Sequence, residues 1–403
     1  MRKRILHPAV LFSLVWLVVI SAHLFFSFTV LDELPPLSIT TYLVFFIGAL
    51  SFSLGAFIET IMFQKGSLVT EMPALEISTG ENKISNRLLY ILLAIVVAGL
   101  PFFLQASYRI FIASNIDNFF VGLRSELLYG DEDIGPLKYL FAFSLVVFAF
   151  VLQSSLKKQN LNGRILVIIG FISTMIYAVF MTGRLLFLFV LAVYLGMRFI
   201  HGRSFSTKKV FGLAALFMIV FIIFGVVYGK GGNIEGSAYE NMKPAAEGTA
   251  IYMVASLNAL DKEMQNPFLV NYNGNNSLRF FLKVAKTLNI IPNAEVSDLI
   301  PDFVLVPYPT NVYTMYSPYI RDFGIVYAWL IVAFLGFLQA YLFNKAIEKK
   351  TFRFSFWYSL LLFPLIISFF ADQYFSLLSF WIQFAVFIEA VILLNKLFTS
   401  RKW

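Results

Sequence analysis

Arg321 and Asp322 stand side by side near the end of Pro307–Gly324, a segment that also holds Asn311, Tyr313, Tyr316 and three prolines. A guanidinium can neutralise phosphate oxygens, and a carboxylate can orient a hydroxyl or take its proton. Tyrosine and asparagine around such a pair make a surface suited to a carbohydrate. The plainer reading stands beside this one. Arg321 can pair with another loop group. Asp322, just ahead of the apolar stretch Ile325 to Phe343, can cap a helix there. Tyrosine-rich belts also flank membrane helices in general.

Three further arginines lie next to apolar runs. Arg184, in Thr182-Gly-Arg184, interrupts the apolar run 165–200; it reads as a turn residue snorkelling to headgroups or as a cation for a lipid-linked phosphate. Arg124, in Val-Gly-Leu-Arg-Ser-Glu, can pair with Glu126 or Asp117, or hold a pyrophosphate through its planar fork. Arg109 follows Tyr108 at an expected helix end, as an interfacial anchor would. Asp32 and Glu33 suit a solvated turn, Glu59 a charge at a helix end, and His23 a packed polar position. With three histidines and no cysteine, thiol chemistry, disulfides and a clustered metal site are excluded. No metal and no cofactor is expected.

The elements that must position these residues are membrane helices. The chain has 403 residues, 59% hydrophobic, 18% aromatic and only 13% charged, too little polar surface to cover a soluble protein. The net charge of +8 comes mostly from short loops between apolar runs, which fits the positive-inside rule better than nucleic-acid binding. The reading is an all-α integral membrane protein, 1–403 as a single polytopic membrane domain of about ten transmembrane helices. Expected spans are Pro8 to Val30 (an uncleaved first helix), Leu37 to Phe63, Leu88 to Leu104, Leu137 to Leu156, two spans within 165–200, Val210 to Tyr228, Ile325 to Phe343, Ser355 to Phe370 and Leu377 to Leu394. A single helix over 165–200 would be roughly 54 Å long against a hydrocarbon core of about 30 Å, so the run must fold back, at Gly183-Arg184. The last two spans turn at Ala371-Asp372-Gln373. Ser107–Pro136 reads as an outer segment, partly interfacial. The basic loops place both termini in the cytoplasm and make 229–322 one large extracytoplasmic loop. Amphipathic helices at Glu247 to Met264 and Ser277 to Leu288 would cap the bundle there.

Pro309-Thr-Asn-Val-Tyr-Thr314 followed by Asp322-Phe-Gly324, Thr182-Gly-Arg184 at a helix break, and the ten-helix layout with one dominant outer loop together resemble the oligosaccharide repeat unit polymerases, the Wzy-type polymerases of O-antigen and capsule assembly. The related O-antigen ligases use a histidine in the large outer loop; 229–322 contains none, which disfavours a ligase. The resemblance implies a GT-C-like bundle in the bacterial cytoplasmic (inner) membrane. It implies undecaprenyl-pyrophosphate-linked glycans as substrates, the lipid bilayer as surroundings and a chain-length regulator as an optional further partner. The reaction implied is glycosyl transfer from lipid pyrophosphate without a metal. Arg321, Arg184 and Arg124 would hold pyrophosphates, Asp322 or another outer acid would orient the acceptor, and Arg109, Asn311, Tyr313 and Tyr316 would contact substrate. A lipid-linked oligosaccharide flippase is the competing class. It would carry charges along its spans and short loops on both sides. A structural partner of an export complex is the third.

Overall fold

A computed structural model describes residues 6–29, 34–64, 85–158, 161–183, 185–202, 238–265, 273–298, 301–307 and 309–400, with isolated positions 212, 219, 222, 223 and 227. The described chain is almost wholly helical: α1 (Pro8–Thr29), α2 (Ile39–Gln64), α3 (Asn86–Ala113), α4 (Phe119–Tyr129), a 3₁₀ turn (Gly135–Lys138), α5 (Tyr139–Lys158), α6 (Leu161–Phe180), α7 (Leu186–Ile200), α8 (Ala238–Gln265), α9 (Arg279–Thr287), the two-stranded hairpin β1 (Val304–Leu305) and β2 (Pro309–Thr310), α10 (Tyr316–Lys349), α11 (Phe352–Ile366) and α12 (Leu378–Ser400). The strands pair antiparallel, Val304 with Thr310 and Leu305 with Pro309.

Among the described residues, seven helices are long and apolar enough to cross a membrane, as a multi-pass membrane protein requires. They are α1, α2, α3, α5 with its 3₁₀ turn, α6, α10 and α12. Two more, α7 and α11, are apolar but 15 residues long, which gives a rise of about 22 Å against a core of about 30 Å. The span expected at Val210 to Tyr228 falls mostly outside the described residues.

The chain divides into two compact units, each assembled from distant stretches. The first comprises Met1–Leu75, Ala250–Lys345 and Leu361–Ser379; the second comprises Glu76–Thr249, Ala346–Leu360 and Phe380–Trp403.

In the first unit, α1 is apolar on every side, yet it buries Pro8, Phe12, Trp16, Val19 and His23, spaced so that one stripe faces inward. Phe12 stacks on Phe52 of α2 at 4.1 Å between ring centroids, and Trp16 stacks on Tyr316 of α10 at 4.9 Å. In lipid such contacts gain dispersion and shape complementarity rather than hydrophobic transfer, so close approach decides which helices associate. Gly55 and Gly336 provide it between α2 and α10: a Cβ at Gly55 would collide with the Ala333 carbonyl, and one at Gly336 with the Phe52 carbonyl. His23 is buried and shares a hydrogen bond of 2.9 Å with Asn258, so it is the packed polar residue expected. Glu59, expected as a charge at a helix end, is buried within α2 and accepts from Asn344 Nδ2 at 2.5 Å.

Two boundaries in this unit depart from expectation. The helix expected at Ile325 starts at Tyr316, with one non-helical residue, Gly324 (φ 77, ψ 171), inside it. That conformation is open essentially to glycine alone, so a short helical stretch over 316–323 precedes the long one. Asp322 therefore sits within helix and does not cap it. The helix expected to cap the bundle at Glu247 to Met264 runs Ala238–Gln265, and residues 254–261 are buried without a break. Burial on all sides makes the stretch 254–261 an inserted one rather than a surface cap.

In the second unit α5 is the core element, with Phe141, Ala142 and every residue from Leu145 to Leu152 buried. It packs against α3, α6 and α7. Tyr177 of α6 donates to the Val96 carbonyl of α3 at 2.8 Å. The 165–200 run does fold back, with α6 ending at Phe180 and α7 starting at Leu186. α3 extends to Ala113, so Ser107–Ala113, expected in an outer segment, is its last two turns.

Candidate functional site

The first two turns of α10 gather several polar contacts of the first unit. Pro318 lies in the opening turn, where a missing N–H leaves no helical bond unmade. Ser317 and Arg321 lie four apart and so share a helix face. Both reach Glu263 of α8: Arg321 Nη2 forms an ion pair with its carboxylate, and Ser317 Oγ donates to Oε2 at 2.8 Å. The Arg321 guanidinium also lies over the Tyr313 ring, 4.8 Å from its centroid. Its side chain is 32% exposed and that of Glu263 14%. The pair is thus partly shielded from water, with about a third of the Arg321 side chain still exposed. Tyr313 donates to the Asp302 carbonyl at 3.2 Å. Burial raises its phenol above the ordinary range, with the nearby Asp302 charge adding to the effect, so it is a neutral donor at neutral pH.

Asp322 points elsewhere. It is buried and accepts from three N–H groups: Asn276 N at 3.1 Å, Asn276 Nδ2 at 2.7 Å and Ser277 N at 2.6 Å. It pins the turn ahead of α9 to the start of α10. Tyr316 is buried between Trp16 and Trp329, with the latter ring edge-on at 5.4 Å, and so belongs to the packing of the unit rather than to an exposed face. Asn311 is half-buried, immediately after β2.

Three acids complete this region whose contacts the sequence reading did not single out. Glu263 ends a run of three charges, Asp261-Lys-Glu263, that closes an apolar helical stretch; in so uncharged a chain that triplet was the available signal. Asp261 accepts from Ser38 N at 2.8 Å and Ser38 Oγ at 2.5 Å. Asp372, at the turn between α11 and α12, accepts from Tyr319 Oη at 2.7 Å, Tyr374 N at 2.8 Å, and Phe375 N and Ser376 N at 3.2 Å. Burial pushes its carboxyl up, and these hydrogen bonds oppose that shift. The turn was legible from sequence; the convergence on its aspartate was not.

The second unit holds the other expected residues. Arg124 of α4 donates from Nη1 to the Thr182 carbonyl at 2.8 Å. Thr182 itself is buried, with φ at 54°, so the Thr182-Gly turn and Arg124 form one corner. α4 is set there by Asn118, whose side chain caps Val121 N at 3.2 Å. Arg184 lies outside the described residues, as do Asp32 and Glu33. Arg109, on the last turns of α3, pairs with Glu132 at 3.6 Å with both side chains well exposed, a geometry worth about 0–1 kcal/mol. Among the described residues no group of three or more His, Asp or Glu converges to hold a metal ion.

The Glu263–Arg321 arrangement places a partly exposed guanidinium, able to neutralise a phosphate oxygen, beside a carboxylate. The Arg124 corner can present a second oriented cation. No family model matches the chain, and no curated protein or solved structure does either.

Proposed function

We propose that this protein lengthens a glycan by transferring it from one lipid-pyrophosphate carrier to a second lipid-linked repeat unit, at the outer face of the bacterial cytoplasmic membrane. The observation that carries this reading is the Glu263–Arg321 pair, ordered by Ser317 and Tyr313 at the start of a membrane helix. In the reaction, an acceptor hydroxyl oxygen attacks C1 of the donor sugar. The bond from C1 to the pyrophosphate oxygen breaks, and its electron pair leaves with the diphosphate. Arg321 neutralises that charge as it develops, and its partial burial strengthens the effect. Arg124 and Arg184 are each, by residue type, suited to a carrier diphosphate. The acceptor proton passes to a carboxylate, and Glu263 is the acid whose position suits this role. Asp322 acts as the orienting member, since its three N–H bonds hold the 273–278 turn against α10. Tyr313 and Asn311 contact sugar hydroxyls.

Reconstitution tests the proposal. Purified protein in vesicles, given a defined lipid-linked repeat unit, is expected to give a ladder of products. Arg321→Ala and Glu263→Ala proteins that insert normally are expected to lose it. Full ladders from both variants would reject the assignment.

A second reading has one observation in its favour. Glu59 is an acid buried inside α2, and ionisable groups at membrane depth commonly mark transport paths. Movement of the lipid-linked unit across the vesicle without chain lengthening, lost in Glu59→Gln, would favour a flippase.

A further inference from the structure

The helix α9 differs from every neighbour in the first unit in having no buried residue. Phe281, Val284 and Leu288 recur at i, i+3 and i+7, so they form one stripe, and they are 54%, 41% and 64% exposed. Ile290 and Ile291 continue the apolar surface just beyond the helix, the former 69% exposed. Arg279, Lys283 and Lys286 recur at i, i+4 and i+7 on the opposite side. Two of these cations anchor the segment behind the helix, through Arg279 Nη1 to the Asp298 carbonyl at 3.1 Å and Lys286 Nζ to the Ala294 carbonyl at 3.2 Å. From Met264 to Ala294 there is no acidic residue; Glu295 and Asp298 come only after it. Leu278 and Gly274, tied by Leu278 N to Gly274 O at 2.8 Å, lead into the helix from the turn that Asp322 holds.

We infer that α9, with Ile290 and Ile291, lies in the headgroup layer of an anionic lipid leaflet, its Phe281–Val284–Leu288 stripe among the acyl chains and its cations among the phosphates. The occupant of this face is lipid for three reasons. A chain with seven apolar spans has a bilayer beside it wherever a span ends. An apolar stripe backed by lysine and arginine is the pattern of a helix lying in the membrane plane. The centres of protein interfaces are depleted in lysine, whereas polybasic segments are attracted to anionic headgroups. The amphipathic helix expected as a cap would on this inference rest its apolar stripe on the membrane. The inference stands without the glycan chemistry, since it uses only the spans and this helix.

The chain has no cysteine, so one introduced cysteine gives one labelled position. Phe281→Cys, Val284→Cys, Leu288→Cys and Lys283→Cys proteins carrying a nitroxide would be reconstituted in phosphatidylcholine vesicles with and without phosphatidylglycerol. With phosphatidylglycerol, the first three labels are expected to collide several-fold more with dissolved oxygen, relative to a water-soluble nickel chelate, than the label at 283. The ratio should fall when phosphatidylglycerol is omitted. Water-like ratios at all four positions would overturn the inference. Shielding of 281, 284 and 288 from both reagents would overturn it too, because protein, a second copy included, would then cover the stripe. A protein labelled at 284 and carrying Arg279→Gln, Lys283→Gln and Lys286→Gln keeps the stripe, and its label is expected to lose the dependence on phosphatidylglycerol. An unchanged dependence would remove the anionic headgroup from the proposal.

Discussion

Two arginine sites, one in each unit, show two ways of holding a guanidinium. Arg321 is bound by a carboxylate, Glu263, and lies over the Tyr313 ring. Arg124 donates to the Thr182 backbone carbonyl. An ion pair places the cation and offsets its charge at once. A phosphate must then compete with the carboxylate, and the carboxylate is left beside whatever the phosphate is attached to. A hydrogen bond to a backbone carbonyl fixes how the guanidinium is oriented at its corner. The first arrangement suits a site where an acid and a cation act together on one reacting bond. The second suits anchoring of an anionic group.

The variant expected to matter most is Arg321→Ala. Removing one partner of a largely buried pair leaves Glu263, among the described residues, with Ser317, which costs on the order of 3–5 kcal/mol of stability, toward the lower end here because Arg321 is a third exposed. Loss of the charge at the reacting bond should slow lengthening by about 10²–10³-fold. Unfolding in detergent and a ladder assay separate the two effects. The double variant Arg321→Ala/Glu263→Ala should recover stability but not lengthening. If it recovers both, the pair is structural and the contrast with Arg124 disappears.

Asp322→Asn comes next. It removes the charge that three N–H groups converge on and should cost about 1–3 kcal/mol. If Asp322 orients, this variant should raise the acceptor KM more than it lowers kcat, and leave the pH profile unchanged. A kcat collapse with normal KM would make it the proton acceptor and move that role away from Glu263.

Arg124→Lys keeps the charge and loses the planar fork. Its hydrogen bond to Thr182 is worth about 1 kcal/mol net, so stability should change little while use of the lipid-pyrophosphate donor weakens by about tenfold, or about 1.4 kcal/mol. Equal donor use by the lysine variant would mean that charge alone matters at this corner. The smallest effect is expected from Arg109→Ala, whose exposed pair with Glu132 contributes under about 1 kcal/mol. Its ladder should match that of wild type; a shortened one would bring Arg109 into the site.

Much of the scaffold was legible without coordinates. The break between α6 and α7, the turn around Asp372, the buried His23 and the spans α1, α2, α5 and α12 follow from where apolar runs exceed or fall short of a bilayer's thickness. The misread boundaries share a cause. α3 continues past Leu104 and α10 begins before Ile325 because polar residues such as Ser107, Ser317 and Arg321 find partners in the folded protein: Ser107 bonds the Phe103 carbonyl at 2.9 Å, and Ser317 and Arg321 share Glu263. A hydropathy profile treats those residues as loop. Gly324 ends the segment that precedes the expected helix; that it interrupts a helix instead depends on what holds 316–323 in place.

What the amino-acid order determined alone is the all-helical membrane character and the approximate course of most spans, because transfer into lipid is a sum over consecutive residues. Which acid meets which cation was decided only by tertiary structure. Glu263 and Arg321 are distant in the chain, and their approach follows from the insertion of α8 beside the first turns of α10. No local pattern encodes that approach, because it arises from close packing between helices that lipid would solvate equally well apart.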